Sequence, residues 1–157
     1  MADKPSDTIT IRRAAPDDAH ACAEALADVL IDCVEGGASV SFMHPLSRET
    51  ALAFWRGVAD GVRRGERVLL VAEDASKAIV GTVQLVLALP ENQPHRADVA
   101  KMLVRRDVRR RSVGQRLMAT AIQSRHQAVR DSRRAGSGRL RRVTATCSTR
   151  SRKTART

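Results

Sequence analysis

The sequence predicts a layered α/β fold. Two observations predict it. Short apolar or alternating strands interleave with amphipathic helical stripes in the order strand, helix, helix, three strands, helix. Hydrophobic residues make up 43% of the 157 residues, enough for one packed core in a chain of single-domain length.

The elements follow in order. From Thr8 to Arg13, Ile9 and Ile11 alternate with polar residues, the period of a strand. Pro16, Asp17 and Asp18 then suit a first helical turn, where proline costs no hydrogen bond and acids meet the positive dipole end. Ala23, Leu26, Ala27, Leu30, Ile31 and Val34 continue that helix as one buried stripe, which Gly36 and Gly37 end. After the loop from Gly36 to Met43, Ser47 is placed to cap a second helix. Leu52, Trp55, Val58 and Val62 form its inner face and Gly65 closes it. Arg67 to Ala72, Ala78 to Leu89 and Ala97 to Val104 read as three strands separated by polar or proline-containing turns. A helix from about Val113 carries Leu117, Met118, Ala121 and Ile122 inward. After about Gln123 the apolar pattern thins out.

Charge divides the chain in two. The net charge is +11, but residues 1–131 hold all 17 acids and balance to +2, whereas residues 132–157 hold nine bases and no acid. The basicity therefore belongs to a low-complexity tail, 132–157, set apart from a domain at 1–131. The tail has few large aliphatics and no aromatic to stack on a base, so nucleic-acid contact is expected only as non-specific, salt-sensitive binding. Three readings fit it: a disordered basic tail, a folded end whose elements the pattern does not disclose, or the product of a shifted reading frame. Read from the third base of the Arg142 codon, suitable synonymous codons permit Gly-Asp-Gly-Asp-Val-Leu-Tyr-Glu-Lys. The longest apolar runs, Val68 to Ala72 and Val83 to Leu89, are far shorter than a membrane span, and the first seven residues hold no apolar signal core. Cys22, Cys33 and Cys147 are odd in number, widely spaced and without a CxxC pair, so free thiols and a cytoplasmic location are expected and no metal site.

The chemistry concentrates between Lys101 and Met118. An apolar strand runs into Arg105 to Arg111, then Ser112, Val113 and Gly114, then an amphipathic helix. Unpaired amides at a helix N-terminus, the helix dipole and clustered arginines together favour a phosphate-bearing ligand. The run Arg109-Arg110-Arg111-Ser112-Val113-Gly114 resembles the acetyl-CoA signature Q/R-x-x-G-x-G/A of the GNAT N-acetyltransferases. Arg109 and Gly114 match it, while Ser112 stands where the first glycine is expected. Within that family the runs Gly36-Gly37-Ala38-Ser39-Val40-Ser41-Phe42-Met43 and Arg96 to Val104 look like those of the tabtoxin-resistance-type acetyltransferases. The likeness covers about residues 8–122.

The resemblance implies a mixed, largely antiparallel sheet flanked by helices, incomplete at the C-terminus. It implies acetyl transfer from acetyl-CoA to the primary amine of a small molecule, with no membrane partner. Backbone amides around Leu103 and Val104 would hold the thioester arm and stabilise the oxyanion. Arg109, Arg110, Arg111, Ser112, Val113 and Gly114 would cradle the pyrophosphate. Asp98, taken to share a strand face with Ala100 and Met102, would accept the amine's proton. Ser39, Phe42 and Met43 would lie on the substrate side. The family's last helix commonly supplies a tyrosine that protonates the leaving thiolate, and this chain has no tyrosine. A non-catalytic remnant of the family is the alternative reading. Without a fifth strand the fourth keeps an open edge, which favours association, a homodimer included. Outside the motif, Trp55 reads as core, and His44 and His95 as loop or surface residues.

Overall fold

The computed structural model describes residues 8–38, 42, 44–87 and 97–143, with side chains given except at 129, 132, 133 and 135–143. Strand β1 (Thr10–Arg13) is followed by helices α1 (Pro16–Ala21), α2 (Ala23–Glu35) and α3 (Arg48–Arg63). Strands β2 (Arg67–Glu73), β3 (Ile79–Val86) and β4 (Asp98–Val104) come next, and helix α4 (Val113–Val143) ends the described chain. The strands form one antiparallel sheet in the order β1-β2-β3-β4. The layered α/β class and the element order are those expected from the sequence.

Two differences concern the helices. The expected first helix is two, because the chain turns at Cys22, whose N–H is shared between the carbonyls of Asp18 and His20. The last helix continues as backbone to Val143, past Gln123 and across the 131/132 boundary. Residues 144–157, the rest of the basic tail, lie outside the described residues.

The sheet separates two apolar clusters. On one face Leu69, Val71 and Leu103 pack under α1–α3 with Leu26, Leu30 and Trp55. On the other Val68, Leu70, Ala72, Val83 and Leu85 pack under Val113, Leu117 and Ala121 of α4. This double coverage explains why β2 and β3 read as nearly unbroken apolar runs and not as alternation. Each fully buried aliphatic contributes about 1.5–3 kcal/mol. α4 sits low over β3 because Gly81 lies beneath it: a Cβ there would meet the Leu103 carbonyl oxygen at 3.1 Å and Leu117 Cδ1 at 3.2 Å.

Polar groups fix the ends. Ser47 caps α3, its Oγ accepting the Thr50 N–H at 3.1 Å, as the sequence predicts. Arg12 joins β1, α1 and β2 through Asp18 and Glu73, and those hydrogen bonds, Glu73 foremost, hold its guanidinium firmly protonated. Cys22 and Cys33 are buried free thiols. Burial is the first cause that raises both thiol pKa values, so both rest as thiols.

β4 carries the feature that matters most for the site. Gln84 pairs with Ala100 but Thr82 pairs with Leu103, so β4 has one residue more than β3 over that interval. Lys101, inside this bulge, has φ +49°. Asp98 and Ala100 therefore share their face with Leu103, and the expectation that Met102 joins them is corrected. An extra residue shifts the alternation by one and leaves a β4 peptide out of the regular ladder. Among the described residues no strand covers the outer edge of β4, and Val99 (42% exposed) and Met102 (43%) lie open along it.

Candidate functional site

The site grows from the end of β4. Arg105 N–H donates to the Val80 carbonyl at 2.9 Å, which holds the chain to the sheet as the strand stops. A single 3-10 turn, Arg106–Val108, follows, and Val108 is buried in the α4-side cluster. The turn is tied to the other layer as well. Asp32 of α2 accepts the Arg106 backbone N–H at 2.8 Å and its Nε–H at 3.0 Å, and Glu35 lies 3.8 Å from the same guanidinium. Partial burial works to raise the Asp32 carboxyl, but those two Arg106 donors outweigh it and hold the group below the usual carboxylate range. Gly36 leaves room for this arginine, since a Cβ there would stand 2.7 Å from Arg106 Cδ.

The loop then turns over the strand end. Arg109 Nε donates to the Val104 carbonyl at 3.3 Å, and the Cys33 thiol donates to the same oxygen at 3.4 Å. Arg110 (φ +66°) and Ser112 (φ +58°) are both left-handed. This gives the Ser112 departure a physical meaning: the position demands the conformation that glycine adopts without cost. Ser112 then opens α4 by accepting the Arg116 N–H at 3.0 Å. The N–H groups of Val113, Gly114 and Gln115, one turn earlier, have no carbonyl to bond within the helix.

A recess of about 450 Å³ opens over these amides, lined by Val104, Arg109, Arg110, Ser112, Val113 and Gly114. Arg109 and Arg110 are both exposed around it, whereas the exposed Arg111 lines a separate recess with Ile9, Asp74, Ser76 and Asp107. At Gly114 a Cβ would find only Val104 Cγ2, at 3.9 Å. The protein's own packing thus does not require glycine there, and the space above it belongs to the recess. Outward amides, two guanidiniums and a bare backbone fit a pyrophosphate. The sequence-expected set Val104, Arg109, Arg110, Ser112, Val113 and Gly114 is gathered at one place. Leu103 does not line it: its side chain is buried on the α1–α3 face, so only its backbone can serve a ligand.

The other side of β4 is aromatic. Phe42 packs edge-on against Phe54 (centroids 5.2 Å apart), and Phe54 edge-on against Trp55 (5.1 Å). The chain has two phenylalanines, one tryptophan and no tyrosine, so all its aromatic side chains meet here. Lys101 Nζ stands 5.0 Å from the Phe42 ring centre and 5.7 Å from that of Phe54. Trp55 is buried, as expected, yet its indole N–H has no partner, and neither has the Gln84 side-chain amide N–H. Gln84 Oε1 is occupied by Arg67 Nη1 at 2.9 Å. Asp98 is exposed at the start of β4, in register with Val86. Ser39 and Met43 lie outside the described residues. The sequence reading missed Asp32, Arg106, Phe54 and Lys101. Lys101 and Arg106 lay inside the run from Lys101 to Met118 that the sequence singled out, whereas nothing in the sequence pointed to Asp32 or Phe54. Among the described residues no His, Cys, Asp and Glu group could hold a metal ion, and no helix is long and apolar enough to cross a membrane.

Comparison with known proteins agrees with this geometry. Residues 24–145 match the model of the Acetyltransferase (GNAT) family. A GNAT-family acetyltransferase from Staphylococcus aureus Mu50 superposes with a TM-score of 0.59 at 15% identity, over 76% of this chain and 68% of that one. yncA of Salmonella typhimurium, a candidate acetyltransferase solved with its cofactor acetyl-CoA, gives 0.59 at 15% identity, over 77% and 65%. A candidate phosphinothricin N-acetyltransferase gives 0.62 at 18% identity, over 78% and 68%. At such identities the likeness is one of fold, and the chain spans about two thirds of the length of each of these proteins.

Proposed function

We propose that this chain, which belongs to the Acetyltransferase (GNAT) family, binds acetyl-CoA at the recess between β4 and α4 and transfers the acetyl group to the primary amine of a small molecule. The observation that carries the reading is the bare backbone at Gly114 beneath two arginines, Arg109 and Arg110, and three outward amides. When bound, acetyl-CoA supplies a thioester carbonyl open to attack by an amine. The amides of Val113, Gly114 and Gln115 and the guanidiniums of Arg109 and Arg110 hold the pyrophosphate, and Arg111 adds positive charge from the same loop. The β4 bulge frees backbone donors near Leu103 and Val104 to face the acyl oxygen. Asp98 takes the amine's proton, directly or through water.

Phe42, Phe54 and Lys101 line the acceptor side, to which the resemblance also assigns Ser39 and Met43. The runs at 36–43 and 96–104 and the fold likeness to a candidate phosphinothricin N-acetyltransferase support an amino-acid-like amine, as in the tabtoxin-resistance type. The buried thiols of Cys22 and Cys33 support a reducing, cytoplasmic setting. The open β4 edge supports self-association. No observation favours nucleic-acid binding by the tail.

The test is release of coenzyme A thiol over a panel of small amines. Asp98→Asn should lower kcat about 10²–10⁴-fold with little change in KM for the donor. An unchanged kcat removes Asp98 from the base role. No release with any amine, in protein that binds acetyl-CoA, removes the transfer reading.

A further inference from the structure

The chain carries 24 arginines but only four lysines, Lys4, Lys77, Lys101 and Lys153. Arginine guanidinium is not acylated by a thioester near neutral pH, whereas lysine amine is, once deprotonated. One of the four stands on the strand that the donor arm is expected to follow. Lys101 lies in the β4 bulge, three residues before Val104, and its side chain is half-buried. The +49° φ turns it out of the strand's ordinary alternation. The rings of Phe42 and Phe54 hold the amine at 5.0 and 5.7 Å. Its position is thus set by the backbone and by two aromatic contacts, on the side of β4 that the reading above gives to the acceptor.

We propose that Lys101 is a self-acetylation site: in the absence of an acceptor, its own ε-amine receives the acetyl group. The inference rests on the donor reading given above. The Lys101 ammonium gives up a proton to solvent, and its nitrogen lone pair forms the N–C bond to the acyl carbon. The C–S bond breaks, and the departing sulfur takes a proton to leave as free coenzyme A. The products are N-acetyl-Lys101, coenzyme A thiol and one released proton. Burial, which lowers the Lys101 pKa, enlarges the neutral fraction that can attack. The product amide carries no charge, so it abolishes the cation over Phe42 and Phe54 and leaves a neutral, bulkier group at the acceptor entrance. Self-acetylation would then slow the entry of acceptors and act as a brake when amines are scarce.

The experiment uses the full chain and acetyl-CoA alone, followed by peptide mass mapping. The expected result is one acetyl group on Lys101 well before any on Lys4, Lys77 or Lys153, and none at that position in Lys101→Arg. A second readout needs no transfer by the enzyme. The protein is labelled with acetic anhydride in the presence and absence of desulfo-coenzyme A, which has no thiol for the anhydride to acetylate and should shield Lys101 while leaving Lys77 as reactive as before. Lys101 left unacetylated by acetyl-CoA overturns the inference, and so does equal acetylation of all four lysines. A melting shift with coenzyme A in that same protein shows that the donor reading survives its loss; no shift shows that both fall together.

Discussion

Ser112→Gly tests the reading of the cofactor loop at its one departure from the family motif. Ser112 has φ +58°, and a left-handed backbone costs a residue with a Cβ about 1–2 kcal/mol. Glycine removes that strain but loses about 0.5–1 kcal/mol to its freer unfolded chain. The net expectation is a gain of about 0.5–1 kcal/mol. For a chain of this length, each kcal/mol moves Tm by about 2–4 °C. A melt followed by circular dichroism should therefore rise by about 1–4 °C. Because Ser112 also lines the recess, acetyl-CoA should bind more tightly to the variant. A fall in Tm, or a rise accompanied by weaker cofactor binding, would refute the claim that the position needs glycine for its backbone conformation.

Other outcomes follow from the same geometry. Gly81→Ala should cost about 1–3 kcal/mol in urea denaturation, because its Cβ would press on the Leu103 carbonyl and on Leu117. Asp32→Asn should lower Tm at neutral pH by loosening Arg106. The folded Asp32 pKa lies below its unfolded value, so its stabilisation is complete above about pH 4 and disappears as pH falls through the folded value. The Tm difference between wild type and variant should therefore shrink toward zero in acid, and a constant difference would contradict the pairing. Ser47→Ala should cost about 1 kcal/mol without altering acetyl-CoA binding, because its cap on α3 is remote from the recess.

Much of this was legible in the sequence because hydrophobic period survives translation into packing. Leu26, Leu30, Trp55 and Val58 sit where their helical spacing puts them, and Arg109, Arg110, Ser112, Val113 and Gly114 meet at one recess because strand, short loop and helix leave them no other place. What escaped was local and non-periodic. Nothing in Ala100-Lys101-Met102 signals a bulge, since the left-handed residue is a lysine and not a glycine. That single inserted residue moved Met102 off the face of Asp98. The Asp32–Arg106 pair spans 74 positions, and charge alone cannot choose among the many carboxylates and guanidiniums that could have met. The helix beyond Gln123 escaped for a different reason. Arginine, alanine and glutamine favour helix intrinsically, so backbone can stay helical where no apolar stripe announces it.

The central claim is that the space above Gly114 belongs to acetyl-CoA, and isothermal titration of acetyl-CoA into wild type and Gly114→Leu tests it most directly. Leucine improves helix propensity by about 0.8 kcal/mol, so the variant should fold at least as well as wild type while its side chain fills the recess. The account predicts saturable binding to wild type and none to Gly114→Leu. Equal binding to both, or none to a folded wild type, would contradict it.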